Sequence, residues 1–246
     1  MEQLSISSFL QNGHSFHLYV YDEVEGVPKG TVLKDANEII PSGRIFKYKH
    51  WDSYAGFADL FRYKLLLEKG GYWVDTDVVC LKPFQFEADY MFTSVPDRFI
   101  YLMFKSVLTG HFAYLKRRYH ISTWFIKAPI GSEMMGYCYS EAAKRDPEEL
   151  VWGETGSRLI TTAVEKFGMQ KYVAPRGTFY PIRWWQWRQL VNGSFIASWK
   201  WKRAMHSSYA VHLYNEMWRR NNIDKNASFP QNSIYEQLKH RYLSDT

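Results

Sequence analysis

The sequence predicts an α/β fold. One observation is a tight helix–strand unit: a helical stretch from Tyr54 to Lys69, the pair Gly70-Gly71, then an apolar run ending in Asp75-Thr76-Asp77. A second is that strand-like runs around His17–Tyr21, Trp124–Pro129 and Tyr209–Tyr214 are separated by helical stretches. The third is composition: 246 residues, 46% apolar and 23% charged, enough for one large core or one domain with a lid.

Taken in order, Met1 to Asn12 reads as an amphipathic helix with Leu4, Ile6, Phe9 and Leu10 as its apolar positions and Asn12-Gly13 as its stop. His17–Tyr21 follows as a strand that ends at Asp22. Asp35 to Ile40 reads as loop with a short helical turn, and Arg44–Tyr48 as a second strand. Leu60, Phe61, Leu65, Leu66 and Leu67 favour the Tyr54–Lys69 helix, which the two glycines close. Between Tyr90 and Leu108 the pieces MFTSV and FIYLMF are strand-like. Ser132–Arg145 reads as a helix, Trp152–Gly156 as a loop, and Ser157–Phe167 as a helix. Gly153 and Gly156 allow close approach of backbone to a ligand, and a helix N-terminus offers N–H groups to anions. An ordinary cap using Thr155 or Ser157 explains the same pattern. The tryptophans Trp184, Trp185, Trp187, Trp199 and Trp201 fit a lid, an acceptor surface, a membrane-facing patch or a satellite core. Gln231–Leu243 reads as a final helix.

Asp75 and Asp77 are the candidate metal ligands. In extended chain, residues two apart point to the same side, and two carboxylates placed so repel each other. A divalent cation resolves that conflict. Mg²⁺ and Mn²⁺ take carboxylate and water oxygens and share them with substrate phosphates. Asp59 and Arg62, three apart on the helix before the acids, share a face. A turn in which each Asp solvates backbone amides is the plain competing account.

Net charge is +6, which favours anionic partners, but no Lys/Arg tract of a nucleic-acid arm is present. Short basic clusters at Lys116-Arg117-Arg118, at Lys200 with Lys202-Arg203, and at Arg219-Arg220 fit solvated faces or peripheral contact with membrane headgroups. Cys80 and Cys138 make neither a disulfide framework nor a zinc pattern. No apolar run is long enough to span a bilayer, and the N-terminus lacks signal-peptide features. The expectation is a cytoplasmic protein, peripheral at the inner face of the membrane.

The stretch ADLFRYKLLLEKGGYWVDTDVVCLKPF resembles the sugar-nucleotide signature of glycosyltransferase family 32, which includes Och-type mannosyltransferases and relatives of the α-1,4-galactosyltransferases. The same spacing is similar to the glucosyltransferase domains of large clostridial toxins. The match is strongest over residues 54–84, with weaker similarity over His14–Asp22 and Trp152–Trp218. The resemblance implies a GT-A type nucleotide-sugar-binding sandwich with a C-terminal lid. It also implies a nucleotide-sugar donor, with a UDP-hexose favoured, Mn²⁺ or Mg²⁺, and retention of anomeric configuration. By position it gives Asp59 and Arg62 to donor sugar and phosphate, Trp73 to the donor, Asp75 to ribose and a metal-bound water, and Asp77 to the metal. His212, within VHLYNEMW, would complete the metal and diphosphate site, and Glu154 would help the acceptor.

Two departures stand out. The family's usual first strand, with an Ile-Trp-x-Gly-like element that holds the base, has no counterpart here, and Thr155-Gly156 is followed by Ser157 where the family has Pro. The expected organisation is a nucleotide-sugar-binding half over residues 1–110, an acceptor half and lid over 111–220, and a tail helix over 221–246. The expected function is metal-dependent, retaining transfer of a hexose to a saccharide or lipid-linked saccharide acceptor in bacterial surface polysaccharide synthesis. The alternatives are a toxin-like transferase acting on a protein, and an inactive sugar-binding scaffold. Phosphoryl transfer would need more acidic ligands near Asp75 than the sequence shows.

Overall fold

The computed structural model describes residues 1–95, 120–175, 177–193 and 203–244. In chain order the elements are α1 (Glu2–Gln11), β1 (His17–Val20), β2 (Val32–Asp35), α2 (Ala55–Lys69), β3 (Gly71–Val74) and β4 (Val78–Cys80). Then come β5 (Met91–Val95), β6 (His120–Ala128), α3 (Glu133–Ala143), α4 (Leu159–Lys166), β7 (Ala210–His212), α5 (Asn215–Arg220) and α6 (Ile234–Leu243). The mixture is α/β, as expected. The chain divides into two compact units: Met1–Glu38 with Val74–Phe86 and Arg176–Thr246, and Ile39–Trp73 with Glu87–Pro175.

The first unit holds two small sheets. β1 and β2 pair in parallel, His17 opposite Val32 and Val20 opposite Asp35. β4 and β7 pair antiparallel, Val78 opposite His212 and Cys80 opposite Ala210. Its core gathers Leu4 of α1, Val79 of β4, Val211 and Leu213, Trp218, and Tyr235, Leu238 and Tyr242 of α6.

One edge of β4 is closed by a helix in place of a strand. Residues two apart in a strand offer their backbone groups to the same edge. Asp77 and Leu81 turn theirs to the β7 side, through Leu213 N to Asp77 O (2.8 Å) and Leu81 N to Tyr209 O (2.8 Å). Val78 and Cys80 therefore face α1. There Ser5 Oγ donates to Val78 O (2.6 Å), Cys80 N donates to Ser8 Oγ (2.8 Å), and Asn12 Nδ2 donates to Cys80 O (3.1 Å). This explains why Ser5 and Ser8 are buried on a helix face that would otherwise be apolar. Ser8→Ala leaves the Cys80 amide without its acceptor, and we expect a loss of about 2 kcal/mol in urea unfolding. An unchanged midpoint would show that this edge does not depend on the hydroxyl.

The second unit is built on a three-stranded sheet in the order β3-β6-β5. β5 and β6 are antiparallel with an irregularity between Phe92 and Thr93. α2 packs on α3, and α3 on α4. The core includes Leu60, Tyr63 and Leu66 of α2, Phe92, Phe125 and Ile126 of the sheet, and Met134, Met135 and Ile160. α2 stops at Gly70, whose φ of 64° and ψ of −161° reverse the chain into β3. Ser132 caps α3 by accepting the Met135 amide (3.1 Å).

Three sequence expectations change. Arg44–Tyr48 is not a strand: a 3₁₀ turn covers Ser42–Arg44, and the following residues pack on α2 through their rings. An added Cβ on Gly56 would lie 3.1 Å from both the Phe46 and the Tyr48 rings, so these aromatics bury against the helix without pairing to a strand. No strand is expected from the sequence at β2, because all its residues are exposed, which leaves no alternation to detect. The acids do not simply end a strand: β3 stops at Val74, Asp75 to Asp77 form a turn, and the chain resumes as β4. The FIYLMF piece, Lys116-Arg117-Arg118, Trp199, Lys200, Trp201 and Lys202 lie outside the described residues. Among the described residues no helix is long and apolar enough to cross a membrane.

Candidate functional site

The Asp75–Asp77 turn is held by its backbone. Val78 N donates to Asp75 O (3.1 Å), and Leu213 N to Asp77 O extends the β4–β7 ladder past Val78. That ladder places His212 directly across from Val78, one residue from Asp77. After β7 the chain turns sharply at Tyr214, which has φ 59° and ψ 52°, an uncommon conformation for an aromatic residue. Its hydroxyl donates to Ile182 O (2.6 Å), and its ring lies 4.4 Å from the His212 ring. The turn aims the Asn215 amide at Asp77 Oδ2 (2.8 Å). Trp218 Nε1 donates to Leu213 O (2.7 Å) and ties α5 back to the ladder. Each residue of the VHLYNEMW stretch that touches this turn thus has a positional reason to be there.

His212 Nε2 sits 3.1 Å from Asp77 Oδ2 and 3.1 Å from Oδ1. Only the contact to Oδ2 has hydrogen-bond geometry; Oδ1 is buried and accepts no hydrogen bond. A buried carboxylate oxygen without a donor is costly unless a cation meets it. Asp75, Asp77 and His212 each offer a ligand atom, and these atoms lie within 4.8 Å of one another. Burial alone would raise the Asp77 carboxyl. The His212 charge, its hydrogen bond and the Asn215 amide outweigh that and hold it below the usual carboxylate value. Burial lowers His212, and the charge and hydrogen bond of Asp77, then the charge of Asp75, raise it above the usual imidazole value. Two carboxylates with one imidazole, and an unsatisfied oxygen among them, fit a divalent cation; the imidazole tilts the set away from Mg²⁺ toward a transition ion.

In the second unit a different group forms around Asp59. Its carboxylate is buried and lies 3.7 Å from Arg62 Nη1. Thr155 Oγ1 donates to Asp59 Oδ2 (3.2 Å), and Tyr63 Oη donates to Thr155 O (2.8 Å). Gly156 follows at a kink with φ −84° and ψ −117°, where a Cβ would come within 2.8 Å of Asp59 Oδ2. The Thr-Gly pair is therefore shaped by the acid of α2: the hydroxyl reaches it and the glycine makes room for it. Tyr48 joins the same network. Burial and then the Asp59 charge raise its phenol, against hydrogen bonds with Gly153 and Thr155.

Arg62 is held by the protein itself. Nε donates to Ala58 O (3.1 Å), Nη1 donates to Thr123 O (2.6 Å), and the guanidinium lies 4.9 Å from the Trp73 ring centre. Glu154 turns to its own loop: Oε2 accepts the Val151 amide (3.2 Å) and Oε1 lies 3.4 Å from Arg145 Nε. Of the residues singled out in the sequence, Asp75, Asp77 and His212 form one group, and Asp59, Arg62 and Trp73 belong to another. Sequence reasoning missed four contributors: the Asn215 amide, the Thr155 hydroxyl as the partner of Asp59, and the Tyr48 and Tyr63 phenols. Thr155 and Asp59 are 96 residues apart, so no local pattern joins them.

Comparison with known families points to the glycosyltransferases. Residues 5–96 match the glycosyltransferase sugar-binding region containing a DXD motif, and residues 131–242 match the alpha 1,4-glycosyltransferase conserved region. The two matches, over different parts of the chain, support a family 32-like glycosyltransferase. It is similar to the lactosylceramide 4-alpha-galactosyltransferase of Pongo pygmaeus, 23% identical over 209 residues, which is 80% of this chain and 83% of that protein. The Mus musculus and Homo sapiens proteins of the same name are also 23% identical over 209 residues, covering 80% of this chain. The chain spans about half the length of these two relatives, 50% and 51%.

Proposed function

We propose that this chain is a GT-A type, metal-dependent, retaining galactosyltransferase that uses UDP-galactose and extends a saccharide or glycolipid acceptor. The observation that carries the reading is the Asp75, Asp77 and His212 group with its unsatisfied Asp77 oxygen, within the segment that matches the DXD region. The relatives named for galactosyl transfer to lactosylceramide support the choice of sugar and of acceptor class.

Asp77 is the direct metal ligand in this proposal, with His212 completing the set and Asp75 facing the nucleotide. A divalent cation bound there supplies positive charge against which the nucleoside diphosphate can leave. Bond formation joins the acceptor oxygen to the anomeric carbon as that carbon parts from the diphosphate oxygen. The acceptor proton passes to the departing diphosphate, and attack from the same face retains configuration. Asp59 is a positioning residue: through Thr155 it sets the conformation of the Trp152–Gly156 loop. Glu154 braces the same loop through the Val151 amide. The donor contacts that the family resemblance gives Arg62 and Trp73 are part of the same proposal.

The test is donor turnover by the purified chain with Mn²⁺. UDP-galactose, UDP-glucose, UDP-N-acetylglucosamine and GDP-mannose are offered singly, with and without a lactose-terminated acceptor, and nucleoside diphosphate release is measured. The expected result is UDP release from UDP-galactose that rises with acceptor, and an α-linked product by NMR. A chain that neither binds nor turns over any of the four donors would defeat this reading.

A further inference from the structure

Within the first unit, a cavity of about 430 Å³ is lined by Leu81, Met205 and Leu238 together with Lys82, His206 and Arg241. Gln237 is its remaining lining residue, so among the described residues no carboxylate lines it. Leu81 and Leu238 are buried and form its base, while His206 and Arg241 are exposed. Lys82 and Arg241 have no acidic partner among the described residues. Aromatic faces orient them: Lys82 Nζ lies 5.7 Å from the Tyr209 ring centre and Arg241 Cζ lies 4.9 Å from that of Tyr242. A cation over a ring is held in place while its N–H groups stay available to an acceptor.

The frame beneath these groups is rigid. Leu81 N and Lys82 N both donate to Tyr209 O, at 2.8 and 3.4 Å. Gln237, Leu238 and Arg241 lie on α6 at spacings that put them on neighbouring turns of one face. The cavity is also separate from the acidic turn. Asp77 precedes β4 and Lys82 follows it, and five residues of extended chain span roughly 16 Å.

Collecting unpaired cations around one hollow is unfavourable unless an anion joins them. The donors of a lysine, an arginine, an imidazole and an amide outnumber what one carboxylate accepts. They match the three terminal oxygens of a phosphate monoester, which arginine can meet with two parallel hydrogen bonds. The leucine and methionine side chains below offer room for a short apolar substituent. We propose that this cavity binds the phosphate monoester group of an amphiphilic ligand. The two sources of that chemistry are a lipid phosphate and a soluble phosphorylated molecule. This assignment does not rest on the transfer reaction proposed above.

Calorimetric titration of the intact chain at low salt tests it. The probes are monomeric dihexanoyl phosphatidic acid, inorganic phosphate and dihexanoyl phosphatidylcholine. Phosphatidic acid is expected to bind, and the Lys82→Gln/Arg241→Gln variant to bind it at least about tenfold more weakly, as expected when charge-assisted contacts to phosphate are lost. Both side chains reach solvent, so the thermal midpoint of the variant and its Mn²⁺ binding are expected to match the parent chain. Tighter binding of phosphatidic acid than of phosphate supports the lipid source. Equal binding of the two, lost in the variant, supports the soluble one. The proposal is overturned if the variant binds as the parent does, if phosphatidylcholine binds equally well, or if neither phosphate probe binds up to about 10 mM.

Discussion

Asp77→Ala is expected to lower kcat/KM for sugar transfer by about a thousandfold or more, a loss of roughly 4 kcal/mol of transition-state stabilisation. The structure gives two separate reasons. The substitution removes the carboxylate whose Oδ1 is buried without a hydrogen bond, and it removes the acceptor of the Asn215 amide and of His212 Nε2. The second effect alone would disturb the Tyr214 turn, so Asp77→Ala cannot separate chemistry from folding. Asp77→Asn can. An asparagine oxygen still accepts the Asn215 amide, so urea stability should stay close to that of the parent chain, while Mn²⁺ affinity and transfer both fall. Mn²⁺ binding is read by electron paramagnetic resonance and does not require turnover. If Asp77→Asn bound Mn²⁺ as tightly as the parent chain, Asp77 would not be the metal ligand.

The parts of this molecule that were legible in its sequence are those whose cause is local. α2 is marked by its run of leucines and by the glycines after it, and it forms at Ala55–Lys69. Asp75 and Asp77 stand out because acids two apart at the end of an apolar run need an explanation wherever they occur. His212 was found through its neighbours, and the structure sets it beside both acids. What stayed hidden depends on partners distant in sequence. Serines on one face of α1 look like a weak helix surface until the free edge of β4 is beside them. Phe46 and Tyr48 alternate with polar residues like a strand, yet Gly56 of α2 leaves a space that their rings fill. Asp59 and Arg62 look like a surface pair at helical spacing. Their burial follows from Thr155 and the Thr123 carbonyl, neither of which any spacing rule connects to them.

Gly70→Ala is expected to be the most damaging single methyl group in the second unit. Gly70 has φ 64° and ψ −161°, a region almost closed to residues with a Cβ, which costs about 1–3 kcal/mol by itself. The added carbon would also stand 2.6 Å from Ile130 N and 2.9 Å from Ile130 Cγ1. Backbone cannot yield as a flexible side chain can, so α2, β3 or the turn before α3 must shift. The summed loss should reach about 4 kcal/mol, a large share of the stability of an ordinary domain. Gly71→Ala supplies the contrast. Its φ of 85° is also left-handed, but nothing lies within 4 Å of the added carbon. Only the conformational strain remains there, about 1–2 kcal/mol. Urea unfolding of the two variants side by side therefore separates strain from collision. Equal losses would mean that close approach to Ile130 contributes nothing. A larger loss at Gly70 would show that this glycine is required by the backbone packed against it, at the point where the chain enters the strand that leads to Asp75.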